Sequence, residues 1–208
     1  MIIKNAIKNN GFSLIELLIA SSIGLIAIGI VGSVFLSGYK SASQRSLELL
    51  LQQDVNDALS LIKQDILRAG YQSGASSSYI VSGATGIITL SPSISNATCI
   101  TYAYHDGVKQ YYRSFYLNQV DGSSKDKVQV LKLYSTTSSG VNILNACDNG
   151  QSVLDQNQIE VKEFSIVEQS LSSASATSKL LTIKLAAKIK SSAVSTTKSI
   201  QIKTRNWQ

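Results

Sequence analysis

The sequence predicts an α+β protein in which one long N-terminal helix packs on a mainly antiparallel β-sheet head. Three observations carry that expectation. From Phe12 to Leu36 the chain is apolar over about 25 residues with Glu16 as its only charge, enough for a helix to cross a hydrocarbon core of roughly 30 Å. From Leu47 to Ala69 apolar residues recur at helical spacing, and the single proline, Pro92, lies well beyond them. After Gly70 the pattern changes to period two, in short runs separated by turn residues.

Taken in order, residues 1–11 form a short leader, MIIKNAIKNNG, charged only at Lys4 and Lys8. Basic flanks resist translocation, so the N-terminus is expected in the cytoplasm and the rest of the chain beyond Leu36 outside it. Residues 12–36 are the membrane-spanning half of the helix and 37–70 its amphipathic continuation. A helix from Ser13 to Ala69 would be about 85 Å long at 1.5 Å per residue. In its first half Ala20, Gly24 and Ala27 share a face that could permit close helix approach, against the plainer reading of ordinary glycine tolerance in membrane helices. In its second half Leu47, Leu51, Val55, Ala58, Leu59, Ile62, Ile66 and Ala69 fall within roughly 120° and should carry the sheet. Asp54, Asp57 and Asp65, with Arg68 below them, read as an exposed acidic edge beside that stripe, available to the basic strands of the same or a neighbouring subunit. Gly70 supplies a helix stop.

Residues 71–208 read as the β-rich head. The strand candidates are residues 86–90, a hairpin over 99–117 joined at Asp106-Gly107, then 127–134, 159–169, 180–190 and 198–204. Leu181, Ile183, Leu185, Ala187 and Ile189 alternate with Thr182, Lys184, Ala186, Lys188 and Lys190, so that strand has one core face and one wet face. The serine-rich segments 71–83 and 170–180 read as loops. Tyr102, Tyr104, Tyr111, Tyr112 and Tyr116 crowd one hairpin, where they either pack across strands or stack on a ligand.

Composition narrows the function. Cys99 and Cys147 are the only cysteines, both in the exported portion, where oxidising conditions favour a bridge; two unpaired structural thiols are the other reading. With one histidine, His105, and no soft-ligand spacing, no metal centre or cofactor is expected. No nucleophile elbow, phosphate loop or recognisable acid pair supports an enzyme. The net charge is +6, or +4 without Lys4 and Lys8, and no acid follows Glu168. Lys184, Lys188, Lys190, Lys203 and Arg205 therefore form a candidate surface for DNA, against the plainer reading of lysines protecting strand edges.

A secretory signal peptide would explain the apolar run and could be cut among the small residues of 36–43, but it does not explain Glu16. A carboxylate deep in an apolar helix costs about 2.5–3.5 kcal/mol on insertion scales and calls for a partner. Gly11-Phe12-Ser13-Leu14-Ile15-Glu16, behind its short basic leader, resembles the class III signal of type IV pilins and type II secretion pseudopilins. That resemblance implies cleavage by prepilin peptidase between Gly11 and Phe12, N-methylation of Phe12 and retention of the helix. It also implies that Glu16 pairs with the amino terminus of a neighbouring subunit. Before assembly the protein would sit in the inner membrane with its head in the periplasm, and afterwards in the pilus fibre or at its tip.

The stretch from Asp65 to Tyr71, an acid, an arginine and Ala-Gly-Tyr, resembles PilW-type minor pilins; the GspJ-type pseudopilin, with a similar helix and β-rich head, comes next. Ser33, at a position usually proline in major pilins, and cysteines that do not enclose a C-terminal loop argue against a major pilin. The resemblance implies a minor pilin that helps initiate assembly, with prepilin peptidase and other pilins as partners. A secretion pseudopilin and a tip subunit that binds DNA or a surface are the alternatives.

Overall fold

The computed structural model describes residues 11, 13–75, 77–121, 127–137, 142–143, 146–172 and 177–204. Helix α1 (Leu14–Ile66) is followed by β1 (Ile88–Ser91), β2 (Cys99–His105), β3 (Gln110–Asp121), β4 (Lys127–Thr136), β5 (Gln151–Ser152), β6 (Ile159–Ser172), β7 (Thr177–Ile189) and β8 (Ser195–Lys203). The α+β class stands as expected, with every strand pairing antiparallel. By its internal contacts the chain divides into two compact units, Met1–Ser46 and Leu47–Gln208.

In the first unit α1 is apolar and almost wholly exposed, and the helix is long and apolar enough to cross a membrane. Its serines do not leave bare hydroxyls in that apolar stretch. Ser21, Ser22 and Ser33 donate to the carbonyls of Leu18, Ile19 and Ile30, each three residues back. Such back-bonding satisfies a hydroxyl where lipid offers no partner.

The second unit is built on the predicted stripe. Leu51, Val55, Ala58, Leu59, Ile62 and Ile66 are buried on one face of α1. They join Ile100, Tyr102, Phe115 and Leu131 of one sheet and Phe164, Ile166, Leu181, Ile183 and Leu185 of another in a single core. Burying each such aliphatic side chain contributes about 1.5–3 kcal/mol, which is why this face, and not helix propensity, fixes the element. Glu48 falls within the same arc but is exposed and accepts a hydrogen bond from Gln52.

Two sheets replace the single sheet expected. β1 to β5 form one in sequential order, and β6, β7 and β8 form the other. They are joined by a bridge between Ala97 and Ile166, whose N–H groups each donate to the other's carbonyl at 2.9 Å. Strand β2 is buried along nearly its whole length because both faces are covered. Ile100, Tyr102 and Tyr104 belong to the core under α1, whereas Ala103 packs with Val81 and Tyr112 in a smaller cluster. Alternation along the strand places these two sets on opposite faces.

Within the segment read as a loop, residues 170–172 and 177–180 are strand. β6 runs to Ser172 and β7 starts at Thr177, with Ser170 opposite Lys179 and Leu171 opposite Ser178. Backbone pairing with an established neighbour strand outweighs the weak local preference of serine. α1 also ends earlier than predicted, at Ile66, with a turn over residues 67–70.

Candidate assembly site

Gly11 is exposed, with nothing near its Cα to fill the space a side chain would take. Phe12 lies outside the described residues. Ser13 is the cap of α1: its carbonyl accepts the first helical bond from the Leu17 N–H at 3.2 Å, and its N–H donates to Glu16 Oε2 at 3.0 Å. Glu16 stands at the third helical position, so it answers one of the unpaired N–H groups of the first turn and favours the positive end of the helix dipole. Sequence reasoning missed this, although Ser-x-x-Glu before an apolar run is a capping-box spacing. The one carboxylate of the apolar segment is therefore held beside the helix start, at Ser13.

At the other end of α1 the sequence placed Asp65 on an exposed edge, and the structure corrects this. Asp65 is 3 % exposed. Its Oδ2 accepts hydrogen bonds from the Tyr102 hydroxyl at 2.5 Å and from Arg113 Nη1 at 2.7 Å. A carboxylate in the last helical turn faces the negative end of the dipole, and the Arg113 charge offsets that. Burial, and then the Asp65 charge, push the Tyr102 hydroxyl far above its ordinary pKa, so it stays a donor. Partial burial is the largest single influence and works against the Arg113 charge, but the hydrogen bond and charge of Asp65 together with Tyr104 and Tyr102 outweigh it and raise its pKa. The partner of Asp65 was hidden because Arg113 is 48 residues away and becomes its neighbour only through the β2–β3 hairpin.

The Ala69-Gly70-Tyr71 stretch continues this junction. Gly70 has φ +75°, and a Cβ on it would meet Ile87 Cγ2 at 2.6 Å, so two independent constraints require glycine. Its N–H donates to the Ala103 carbonyl at 2.8 Å, and the Tyr71 carbonyl accepts from His105 N–H at 2.7 Å. β1 pairs with β2 only as far as Tyr102, and the chain leaving α1 takes over that edge from Ala103 onward.

The hairpin tyrosines are mostly packing residues: Tyr102, Tyr104, Tyr112 and Tyr116 are buried, which removes the open stacking platform. Tyr104 and Tyr111 face each other across the hairpin at 5.0 Å between ring centroids. Cys99 and Cys147 are joined by a disulfide. Near it, Ser114 donates to the Ala146 carbonyl and Gly150 N–H donates to the Tyr116 hydroxyl, fixing the chain beside β5.

The basic strands find acids close by. Lys184 meets Glu163 at 2.8 Å, Lys188 meets Glu160 at 3.7 Å, Lys179 meets Glu168 at 2.8 Å, and Lys190 donates to the Gln156 carbonyl. These are mainly cross-strand pairs of β6 and β7, not contacts with Asp54 and Asp57, which remain exposed on α1. Lys203 is exposed with no carboxylate paired to it among the described residues, and Arg205 lies outside them.

A family model for the prokaryotic N-terminal methylation motif matches residues 7–32, and one for prepilin peptidase-dependent protein B matches residues 44–205, which is most of the chain. The chain belongs to the prepilin peptidase-dependent protein B family. It is thus a type IV pilin-like protein, and both matched families are structural pilin components. Membership carries prepilin peptidase and pilin-like subunits as partners, and the apolar helix with its methylation motif is consistent with membrane anchoring before pilus assembly. No curated protein and no solved structure matches the chain.

Proposed function

We propose that this protein is a minor pilin, processed at its N-terminus, that primes pilus assembly in the inner membrane and stays at the pilus tip. Prepilin peptidase cuts between Gly11 and Phe12, and the new amine of Phe12 is methylated. Residues 12–36 anchor the chain in lipid, 37–70 continue the helix, and 71–208 form a periplasmic head. The observation that carries the reading is Glu16. It is the only charge of the apolar run, and its partner among the described residues is one backbone N–H at the helix start. Processing creates a cationic amine next to that position on every subunit. A neighbour's amine is a stronger partner for a carboxylate than a neutral N–H, which favours docking of two such helices in an apolar setting. Moving from lipid into a bundle of equally apolar helices keeps the rest of the segment buried.

The chemistry is assembly, not catalysis. In cells, Glu16→Ala is expected to leave processing intact and to reduce surface pili as strongly as deletion does. Normal pili from the Glu16→Ala chain would end the pairing role. A GspJ-like pseudopilin is the second reading, since a long helix with a β-rich head and the methylation motif fit both; deletion would then abolish secretion of a type II substrate and leave pili untouched. A DNA-binding tip has less support, because Lys184 and Lys188 already face Glu163 and Glu160 across the sheet.

A further inference from the structure

Arg68, Tyr71, Tyr104, Asp106, Tyr111 and Arg113 line a cleft of about 360 Å³. The Arg68 and Arg113 guanidinium carbons each lie 6.0 Å from the centroid of the Tyr104 ring, so one buried ring holds two cations at the same opening. Arg113 uses Nη1 on Asp65, while its buried Nε has no hydrogen-bond partner, the one such orphan among the described residues. Arg68 is exposed and pairs with no carboxylate among the described residues. The acid at the rim, Asp106, is occupied: its Oδ1 accepts the Val108 and Lys109 N–H groups at 2.8 Å, which lower its pKa.

We propose that this cleft binds a single carboxylate, the Asp or Glu side chain of a neighbouring pilin-like subunit. The exposed Arg68 guanidinium, with no carboxylate paired to it among the described residues, matches the two oxygens of a carboxylate, and the Arg113 charge beside it adds to the attraction. The two arginines, Asp65 and Asp106 cancel formally, so the cleft lacks the net positive charge that a polyanion would need. A larger cleft of about 600 Å³ between the α1 end and the ends of β6 and β7 has Lys179 as its one charged lining residue, already paired with Glu168. The proposal rests on the assembly role above, because it takes its partner from that role.

The test replaces Tyr71, whose side chain is 43 % exposed, with the photo-crosslinking residue p-benzoylphenylalanine in the full-length chain, in cells that also carry the filament genes. The expected adduct joins Tyr71→p-benzoylphenylalanine to another subunit bearing a prepilin signal, at a peptide containing Asp or Glu. Arg68→Glu should lower the adduct yield by about tenfold, one close charge pair by the usual affinity scale. Changing the mapped acid to Arg should restore it. An adduct at a peptide with no acid, no adduct with any such subunit, or a yield indifferent to Arg68→Glu overturns the proposal. Pilus counts on the deletion strain are read separately, so a wrong assembly role and a wrong cleft give different results.

Discussion

Asp65 is the residue whose role changes most between sequence and structure. It is a buried anion at the wrong end of a helix for its charge, held by Tyr102 and Arg113. Asp65→Asn keeps the shape and removes the charge, leaving Arg113, only 21 % exposed at its side chain, without its counter-ion. Breaking one side of a buried pair is strongly destabilising. We expect a loss of about 2–4 kcal/mol, at the lower part of the range for fully buried pairs because Arg113 keeps some contact with water. Urea unfolding of the full-length protein in detergent reads it as a lower midpoint at unchanged slope. Glu16 is the opposite case: the sequence exposed its cost, and the structure adds a capping geometry that the residue types already contained.

Among the elements, the β6–β7 hairpin carries a pH dependence. The hydrogen bond from Lys162 and the charge of Lys188 lower the Glu160 pKa, and the hydrogen bond from Lys184 lowers that of Glu163. A depressed carboxylate contributes stability above its unfolded pKa, near 4.5, that is lost as pH falls through the folded value. Stability against thermal unfolding should therefore fall below about pH 4.5, and the double variant Glu160→Gln, Glu163→Gln should flatten that slope while leaving the midpoint at pH 7 nearly unchanged, since both pairs are partly exposed. The disulfide acts on the other sheet. Cys99 and Cys147 are 48 residues apart, so closing that loop removes about 4 kcal/mol of unfolded-state entropy. Reduction, or Cys147→Ser, should lower the unfolding free energy by about that amount, read as a lower unfolding midpoint, and loosen β5 first, read as faster amide exchange at Gln151 and Ser152. α1 and the strands β2, β3, β4, β7 and β8 were legible because their apolar period is unbroken. The hairpin end at 170–180, the short β5 and the split into two sheets were not, because each depends on which strand lies alongside, and a serine-rich run records nothing of its neighbour.

For the molecule as a whole, two kinds of information locate function. The processing and assembly chemistry proposed above belongs to the decamer from Gly11 to Ala20, whose residues adjoin in sequence, so that proposal can be read from the sequence directly. The Asp65–Arg113 junction and its cleft join residues from α1, the turn after it, and β2 and β3, so only the folded chain assembles them. Both matched families describe the same molecule from its two ends, the methylation motif over 7–32 and the prepilin peptidase-dependent head over 44–205. The most direct test of the account is the mass of the N-terminal peptide of the protein isolated from cells with and without prepilin peptidase. The account predicts a mature chain that starts at N-methylated Phe12, and the uncut precursor when the peptidase is absent. A chain that keeps residues 1–11 in the presence of the peptidase, or one cut among residues 36–43 with loss of Glu16, would contradict it.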